Sequence, residues 1–203
     1  MNNENKLLYI VADANGSGKS TLANILLKDK ALEFLNADEI AKEISTNAIN
    51  KVPISAGKIY FKKLKDFFNN EKSFAVESTL SGMNIRRIIE NARTRNYKII
   101  LVYSFLSDCT SCIKRVKKRV KNGGHDVPES DIIRRYYKSI VNFWENYRFL
   151  VDEWTLFYNG NSYAPSVVSL GVGKNMQIAN NAMQDKFNNI YNESKIERTQ
   201  NAL

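Results

Sequence analysis

A glycine-rich segment follows directly on the first apolar segment of the chain. Residues 7–12 read Leu-Leu-Tyr-Ile-Val-Ala, which is typical of a buried strand, and residues 15–21 read Asn-Gly-Ser-Gly-Lys-Ser-Thr. Glycines let consecutive backbone N–H groups turn toward a polyphosphate, and a lysine and a hydroxyl can then reach the phosphates and Mg²⁺. Apolar residues at helical spacing follow, so a helix N-terminus would face the anion. Strand, loop and helix in this order predict a phosphate-binding loop in an α/β fold.

The residue types in this loop suit particular contacts with a nucleotide. Lys19 is in place to reach the β and γ phosphates, and the Ser20 hydroxyl is in place to ligate Mg²⁺. The expected cofactors are therefore ATP or GTP, together with Mg²⁺. The residues expected to bind the nucleotide are Asn15, Gly16, Ser17, Gly18, Lys19, Ser20 and Thr21.

Asp13 is the one departure from the full loop pattern, GxxxxGK[ST], which has glycine at this position. A carboxylate there would repel phosphates or strain the bend between strand and loop. Two interpretations follow. The loop serves a kinase, or it belongs to a non-catalytic or weakly active nucleotide-binding regulatory protein.

Helical and strand patterns alternate along the rest of the chain. Its 203 residues fit a single domain with a substantial core. Alternation of this kind predicts a three-layer α/β fold of the P-loop kinase type, with helices on both faces of a mostly parallel sheet of about five to six strands. Strands are expected at 7–13, 33–36, 73–78, 98–105, 155–158 and 166–170, and helices at 19–28, 38–45, 54–69, 84–95, 110–121, 128–151 and within 176–193.

The two helices expected at 110–121 and 128–151 are joined by Asn-Gly-Gly-His-Asp-Val at 122–127. A helical hairpin with a glycine hinge is the layout of a lid that closes over a bound nucleotide, so we assign a helical lid to about 109–151. Between 108 and 148 there are ten Lys or Arg against five Asp or Glu. Some of these arginines would clamp phosphates during transfer, while several lysines form a solvated face. The last residues, 194–203, are expected to fray.

Composition argues against several other classes of protein. No apolar stretch approaches the roughly 18 residues of a membrane span, and the polar N-terminus lacks a secretory signal, so we expect a cytoplasmic protein without a membrane partner. The net charge is +9, but no recognised nucleic-acid-binding fold accompanies it, which ranks nucleic acid lowest among partners. Cys109 and Cys112 form a CxxC, yet the chain has a single histidine, so we interpret the cysteines as packing residues rather than zinc ligands.

Two acidic residues follow predicted strands, at the sheet edge where α/β proteins bind ligands. Asp38 could accept a proton from a hydroxyl or act on Mg²⁺ through water, or it could simply cap the helix that follows. Glu77 is followed by Ser78, Thr79 and Ser81, which could hydrogen-bond a sugar or polyol acceptor or could serve as turn residues. Residues 98–106 offer no acid, so the magnesium-associated aspartate of many such enzymes is missing or supplied elsewhere.

Taken together, the order and spacing of these motifs resemble the zeta toxin family over roughly residues 7–154. The resemblance implies a kinase that moves the γ-phosphate of ATP or GTP to a small-molecule hydroxyl, in several members the 3′-hydroxyl on the amino sugar of UDP-N-acetylglucosamine. It also implies a small helical antitoxin as a partner. The segments that carry the resemblance are residues 15–21, 36–38 (Asn-Ala-Asp), 56–58 (Ala-Gly-Lys), 74–82 (Phe-Ala-Val-Glu-Ser-Thr-Leu-Ser-Gly), 115–120 (Arg-Val-Lys-Lys-Arg-Val), 123–128 (Gly-Gly-His-Asp-Val-Pro) and 134–136 (Arg-Arg-Tyr).

Carried onto this sequence, the resemblance implies roles for particular residues. Lys19 and Ser20 would handle the phosphates and magnesium, and Asp38 would be the base. Glu77, Ser78 and Thr79 would line the acceptor site, while Arg119 and Arg135 would contact phosphates from the lid. Arg134 competes with Arg135, and Arg115 competes with Arg119, for the last role. The sequence departs from the family at Asp13-Ala14, where Gly-Pro is usual, at Lys58, where arginine is common, and at Ser78, where threonine is common.

Overall fold

A computed structural model describes residues 6–28, 30, 32–45, 52–160, 164–173 and 175–200. Its strands are β1 (Leu7–Ala12), β2 (Glu33–Leu35), β3 (Phe74–Ser78), β4 (Lys98–Phe105), β5 (Glu153–Tyr158), β6 (Ser166–Val172) and β7 (Asn175–Ile178). Its helices are α1 (Lys19–Leu27), α2 (Ala37–Ser45), α3 (Val52–Asn69), α4 (Asn84–Thr94), α5 (Cys109–Lys121), α6 (Glu129–Glu145) and α7 (Asn181–Gln200), with a 3₁₀ turn at Tyr147–Phe149.

The strands form one sheet of seven in the order β2-β3-β1-β4-β5-β6-β7. The first five strands in this order run parallel, whereas β6 and β7 are antiparallel to their neighbours. Parallel strands are covered on both faces, which explains the continuous apolar runs of β1 and β4. Because β1, β3, β4 and β5 run the same way, their carboxyl ends and the loops that follow meet at one edge. This mostly parallel, helix-covered sheet confirms the predicted fold class.

Successive residues of β1 point to opposite faces of the sheet. Leu8 and Ile10 belong to the larger apolar cluster, which includes buried residues of α3, α4, α5, α6 and α7. Val11 belongs to a second cluster with Leu22 and Ala23 of α1. The helices therefore lie on both faces, with α1 on one side. Within the described ranges, no helix is long and apolar enough to cross a membrane.

Helix α6, which the sequence assigned to a lid, packs into the core. The ring of Phe143 is fully buried and stacks on Tyr103 of β4 with centroids 4.4 Å apart. The Tyr136 hydroxyl donates to the carbonyl of Leu106 over 2.9 Å, and Asn142 donates to the carbonyl of Leu80 over 2.7 Å. These contacts hold α6 against β4 and the segment after β3, while the lid over about 109–151 stays a prediction.

The C-terminal third differs from the sequence prediction at the end of α6 and again at residues 175–178. The helix expected at 128–151 ends at Glu145 and gives way to the short 3₁₀ turn. The sequence placed a terminal helix within 176–193 and no strand there, but residues 175–178 pair antiparallel with β6, because tertiary pairing overrides the local pattern. This adds a strand beyond the five to six predicted.

The terminal helix α7 starts after Asn180, whose side chain accepts from the Met183 N–H over 3.1 Å. It continues to Gln200, although fraying was expected from 194. Ser194 is fully buried, so the helix still packs against the protein at this position, and its hydroxyl donates to the carbonyl of Ile190 within the helix over 2.7 Å. Residues 201–203 of the expected tail lie outside the described residues.

Candidate active site

The glycine-rich loop joins the end of β1 to the start of α1. Gly16 has φ +88° and Gly18 has φ +102°, a backbone conformation that residues with a Cβ rarely adopt. A Cβ on Gly16 would also meet the backbone carbonyl of Cys112 on α5. Gly18 directly precedes α1, so the loop leads into the first turn, whose N–H groups have no intrahelical partner. The local geometry is that of an anion-binding loop.

Two side chains from distant parts of the chain fix the backbone of this loop. Asn159, which directly follows β5, donates from Nδ2 to the carbonyl of Ser17 over 2.5 Å. Arg115 of α5 donates to the same carbonyl over 3.4 Å and to the carbonyl of Asn159 over 2.9 Å. The Asn159 N–H in turn donates to the carbonyl of Phe105 over 3.0 Å. The loop is thereby tied to the ends of β4 and β5.

Sequence reasoning missed Asn159. Its signal was available: Asn159-Gly160 follows a predicted strand, at the same sheet edge as Asp38 and Glu77. The side chain is buried against Gly18, where a Cβ would collide with it. Asn159 therefore explains part of the requirement for glycine in the loop.

Asp13 and Lys19 form a buried ion pair. Asp13 is 0% exposed and Lys19 is 7% exposed, and the Lys19 ammonium contacts Asp13 Oδ1. The same ammonium lies 3.3 Å from the carbonyl of Ala14 and 3.7 Å from Glu77 Oε1. Ser104 of β4 donates to Asp13 Oδ2 over 3.4 Å. The acid that departs from the loop pattern thus neutralises the lysine of that pattern.

Burial and charge act differently on the two members of this pair. Burial raises the pKa of Asp13 to about 7, although the Lys19 charge opposes the rise. Burial alone would lower the pKa of Lys19, but the carboxylates of Asp13 and Glu77 raise it above its ordinary value. The pKa of Glu77 is also raised, by burial and by the nearby carboxylates of Asp38 and Glu39. Lys19 is therefore a firmly charged cation held among acids.

Asp38 lies in the first turn of α2, and Asn36 caps that helix. Asn36 Oδ1 accepts from the N–H of Asp38 over 2.8 Å and from that of Glu39 over 3.4 Å. Asn36 also donates from Nδ2 to Glu77 Oε2 over 2.7 Å. The interpretation of Asp38 as a helix cap is therefore wrong. Its exposed carboxylate is near enough to raise the pKa of both Lys19 and Glu77.

A cavity of about 530 Å³ lies between the end of β3, α3 and α6. It brings together Glu77, Ser78, Thr79, Arg134 and Arg135, all predicted from the sequence. The hydroxyls form a local turn, with Ser78 Oγ accepting from the Leu80 N–H over 3.0 Å and Thr79 and Ser81 hydroxyls 2.7 Å apart. Sequence reasoning missed the aromatic wall of this cavity, which consists of Tyr60 and Phe61.

A second cavity, of about 280 Å³, lies beside the loop. Arg115 and Arg119 of α5 line it, together with Gly16, Gly18, Lys19, Thr21 and Glu77. Arg119 is oriented by a 2.8 Å hydrogen bond from Nη2 to the carbonyl of His125. Glu77 lines both cavities, so they meet at this carboxylate.

The two neighbouring arginines of α6 differ in their contacts. Arg135 donates to Asn15 Oδ1 of the loop over 3.2 Å and also pairs with Asp131 at 3.2 Å. Arg134 pairs with Asp131 at 2.7 Å, and its side chain is 54% exposed against 30% for Arg135. Arg135 is thus the one of the two that reaches the loop.

Residues 10–135, more than half of the chain, match the family described as AAA domain. The chain belongs to the AAA domain family. The match covers the loop, Asp38 and Glu77. It also covers the four arginines predicted to contact phosphate, which are Arg115, Arg119, Arg134 and Arg135. It ends before Asn159 and the antiparallel strands.

This AAA domain is similar to one protein by sequence and to others by structure. An uncharacterized protein of Haemophilus influenzae is 30% identical over 133 residues, which are 66% of this chain and 94% of that protein. The crystal structure of AvrRxo1-ORF1:AvrRxo1-ORF2 with sulphate ions has a TM-score of 0.70 at 15% identity, over 91% of this chain and 64% of that chain. The complex with ATP has the same TM-score at 16% identity, with the same coverage. The chain thus spans less than two thirds of the AvrRxo1 chain.

The PezAT chromosomal toxin-antitoxin system of Streptococcus pneumoniae contains a third relative by structure. Its TM-score is 0.59 at 12% identity, over 98% of this chain and 88% of that chain. At these identities the likeness concerns the fold. It supports a P-loop kinase-like fold for the AAA domain described here.

Ser20 is the loop residue that the sequence predicts as the Mg²⁺ ligand. Within the described ranges, no three His, Cys, Asp or Glu form a group that could hold a metal ion by themselves. Mg²⁺ keeps several waters and binds through few protein oxygens plus phosphates, so a hydroxyl at position 20 fits it. The side chain of Ser20, the predicted ligand, lies outside the described part of the structure.

Asp108, the first acid after β4, caps α5, since its Oδ1 accepts from the Ser111 N–H over 2.7 Å.

The two cysteines lie in the first turns of α5. Cys112 is fully buried, and its sulfur lies 3.4 Å from the Ser17 hydroxyl. Cys109 lies 3.8 Å from the Tyr137 hydroxyl. Burial raises the pKa of Cys112 to about 12, so it remains a thiol. Cys112 packs against the loop in this AAA domain.

Proposed function

We propose that this protein is an ATP- or GTP-dependent phosphotransferase of the zeta toxin type, which moves the γ-phosphoryl group to a hydroxyl of a small molecule. The observation that carries the proposal is that the loop cavity and the larger cavity share Glu77. A donor in the first and an acceptor in the second would meet at this residue. Phosphoryl transfer needs such positioning more than it needs covalent chemistry from the protein.

The residues have distinct roles in the proposed reaction. The loop backbone and Lys19 hold the phosphates, and Arg119 and Arg135 neutralise charge on the moving group. The acceptor oxygen forms a bond to the γ-phosphorus while the bond to the bridging oxygen breaks, which releases the nucleoside diphosphate. Asp38 takes the hydroxyl proton, and Glu77 orients the acceptor. Mg²⁺, bound through Ser20, would offset charge on the phosphates.

The larger cavity supports an acceptor that combines a ring, hydroxyls and phosphate. Tyr60 and Phe61 offer aromatic surface, and their rings meet edge to face at 5.5 Å. Arg134 offers a cation for a phosphate, and Thr79 and Ser81 offer hydroxyl partners. A nucleotide sugar such as UDP-N-acetylglucosamine has these parts. An antitoxin partner is part of the proposal, because PezAT is a toxin-antitoxin system with a similar fold.

A second candidate function is that of a nucleotide-binding regulatory protein with little or no transfer activity. The buried pair of Asp13 and Lys19 favours it, because a phosphate must compete with a carboxylate for the lysine. Nucleotide binding without transfer to any acceptor would identify this alternative.

The test is to incubate purified protein with Mg²⁺, ATP or GTP and a mixture of nucleotide sugars and other hydroxyl-bearing metabolites. A mass gain of one phosphate on one of them is the expected result. Lys19→Ala and Asp38→Asn should each lower the rate by about 10²- to 10³-fold, since each removes a group that acts in the transition state. Lys28→Ala and Asp66→Asn remove exposed charges outside both cavities and serve as matched controls. Unchanged turnover in Lys19→Ala would reject the proposal.

A further inference from the structure

Asp13 is a buried acid beside the loop that has no role in the proposed reaction. It is fully buried at the start of the loop. The ionisable groups that influence it come from four elements: Lys19 of α1, Glu77 of β3, Tyr103 of β4 and Cys112 of α5. Burial raises the pKa of Tyr103 beyond its usual range and that of Cys112 to about 12, so both stay neutral. Among the described residues, Lys19 is the cation that balances Asp13.

Nucleotide binding disrupts this balance. A phosphate-binding loop uses its lysine on the β and γ phosphates, so Lys19 must be shared with or surrendered to the ligand. Asp13 would then remain as a carboxylate without access to water, close to a polyphosphate. A buried anion without a partner is strongly disfavoured, and such groups neutralise by taking up a proton.

We propose that Asp13 is the counter-charge of Lys19 in the nucleotide-free protein, and that the Asp13 carboxylate takes up a proton when a nucleoside triphosphate takes Lys19. The proton comes from solvent and adds to a carboxylate oxygen, while the lysine ammonium passes to the phosphates. Ser104, now 3.4 Å from Asp13 Oδ2, is a hydrogen-bond partner for the neutral carboxyl. The inference rests on the proposed function only in requiring that the loop bind a nucleotide.

The direction of the pH dependence follows from the two states of Asp13. In the free protein burial raises its pKa to about 7 even though Lys19 opposes the rise. Loss of Lys19 to the phosphates removes that opposition, so the pKa in the complex is higher still. Above about pH 7 the free protein carries the carboxylate and the complex carries the acid. Affinity then falls about tenfold per pH unit, and it levels off below that pH because both states are protonated.

Isothermal titration calorimetry of the full chain with MgATP and MgGTP tests this inference. Titrations at pH 8 in two buffers of different ionisation enthalpy should give an uptake of about one proton per nucleotide. Asp13→Asn keeps the side-chain shape without the charge. Its proton uptake should be close to zero, and its affinity at pH 8 should exceed that of the unmodified protein by about tenfold or more. The variant also corrects for protonation of the nucleotide itself.

Several outcomes would overturn the inference. If the unmodified protein binds nucleotide at pH 8 without net proton uptake, the inference is wrong, and this result needs no variant. Equal proton uptake by the unmodified protein and by Asp13→Asn would also overturn it. If Asp13→Asn does not fold, Asp13→Gly, which restores the loop pattern, serves for the same comparison. A protein that binds nucleotide at no pH while Asp13→Asn binds would show that Asp13 blocks the loop. Proton-coupled binding without transfer to any acceptor would support this inference and reject the proposed function.

Discussion

The two cavities that meet at Glu77 differ in how firmly the protein holds their walls. The loop beside the smaller cavity is fixed by Asn159, Arg115 and the buried pair of Asp13 and Lys19. The larger cavity is bordered by side chains that reach into solvent, including Phe61 at 53% exposure. The phosphate side is therefore organised before any ligand arrives, whereas the proposed acceptor side depends on side chains that a ligand must order.

This difference has an energetic consequence. In a preorganised site little of the interaction free energy is lost to ordering side chains and backbone when the ligand binds, but a small displacement of the backbone affects every contact with the ligand. Exposed side chains lose rotamer freedom when a ligand binds, so each of them contributes only a modest part of the binding free energy, independently of the others. Substitutions at the loop should accordingly act on nucleotide binding with large effects. Substitutions at the exposed wall of the larger cavity, away from Glu77 and Arg135, should act on the acceptor alone.

Among the substitutions that compare the two cavities, the largest effect on nucleotide affinity is expected from Gly16→Ala. The residue would need φ +88° with a Cβ pressed against the backbone carbonyl of Cys112, which cannot move without moving α5. Strain of this kind costs about 1–3 kcal/mol, so we expect nucleotide affinity to fall about tenfold to hundredfold, measured by calorimetry.

Gly57→Ala is the matched substitution in the larger cavity. A Cβ on Gly57 meets no atom within 4 Å, and the residue lies inside α3. Alanine in a helix stabilises by about 0.5–1 kcal/mol relative to glycine, so the melting temperature should rise slightly while nucleotide affinity stays unchanged. Equal nucleotide affinity in the two variants would remove the contrast between the cavities.

A smaller effect is expected from Asn159→Ala. The substitution removes the 2.5 Å hydrogen bond to Ser17 and leaves that carbonyl with Arg115. A lost hydrogen bond of this kind costs about 0.5–1.5 kcal/mol, so KM for the nucleotide should rise about threefold to tenfold, with KM for the acceptor unchanged. Asn146→Ala removes an exposed asparagine far from the loop and is the control. A rise in KM for both substrates would indicate general loosening rather than positioning of the loop.

Local patterns predicted the loop and the sheet that carries it. Glycines, Lys19 and the strand before them lie within a few residues of one another, and the apolar runs of parallel strands are distinctive. The closeness of Asp38 and Glu77 followed from a rule about strand ends. These features depend on short stretches of chain, so one sequence contains the information.

Features that depend on particular contacts in the folded chain were missed or predicted wrongly. Asn159 is 142 positions from the carbonyl that it holds. The partner of Asp13 could not be read from the sequence, which predicted repulsion of phosphate rather than an ion pair with Lys19. The segment 175–178 became a strand because β6 lies beside it. In each case the deciding interaction is a contact made only in the folded chain, and the sheet-edge position of Asn159-Gly160 was the one signal that the sequence offered.

The smallest effect is expected from Phe61→Ala, at the exposed wall of the larger cavity. The ring meets Tyr60 edge to face and is 53% exposed, so it contributes little to the core. If it contacts the acceptor, an aromatic contact of about 0.5–1.5 kcal/mol is lost, and KM for the acceptor should rise about twofold to tenfold. The affinity for nucleotide should remain that of the unmodified protein, measured by calorimetry in the same buffer.

Ile59→Ala provides the matched control for Phe61→Ala. Ile59 is a partly exposed apolar residue of the same helix, 38% exposed, and it is not among the residues that line the cavity. A rise in KM for the acceptor in Phe61→Ala but not in Ile59→Ala would assign the effect to the cavity wall rather than to α3. A change in nucleotide affinity in Phe61→Ala would mean that the two cavities are not independent. The firm loop would then depend on the exposed wall, contrary to the contacts that hold it.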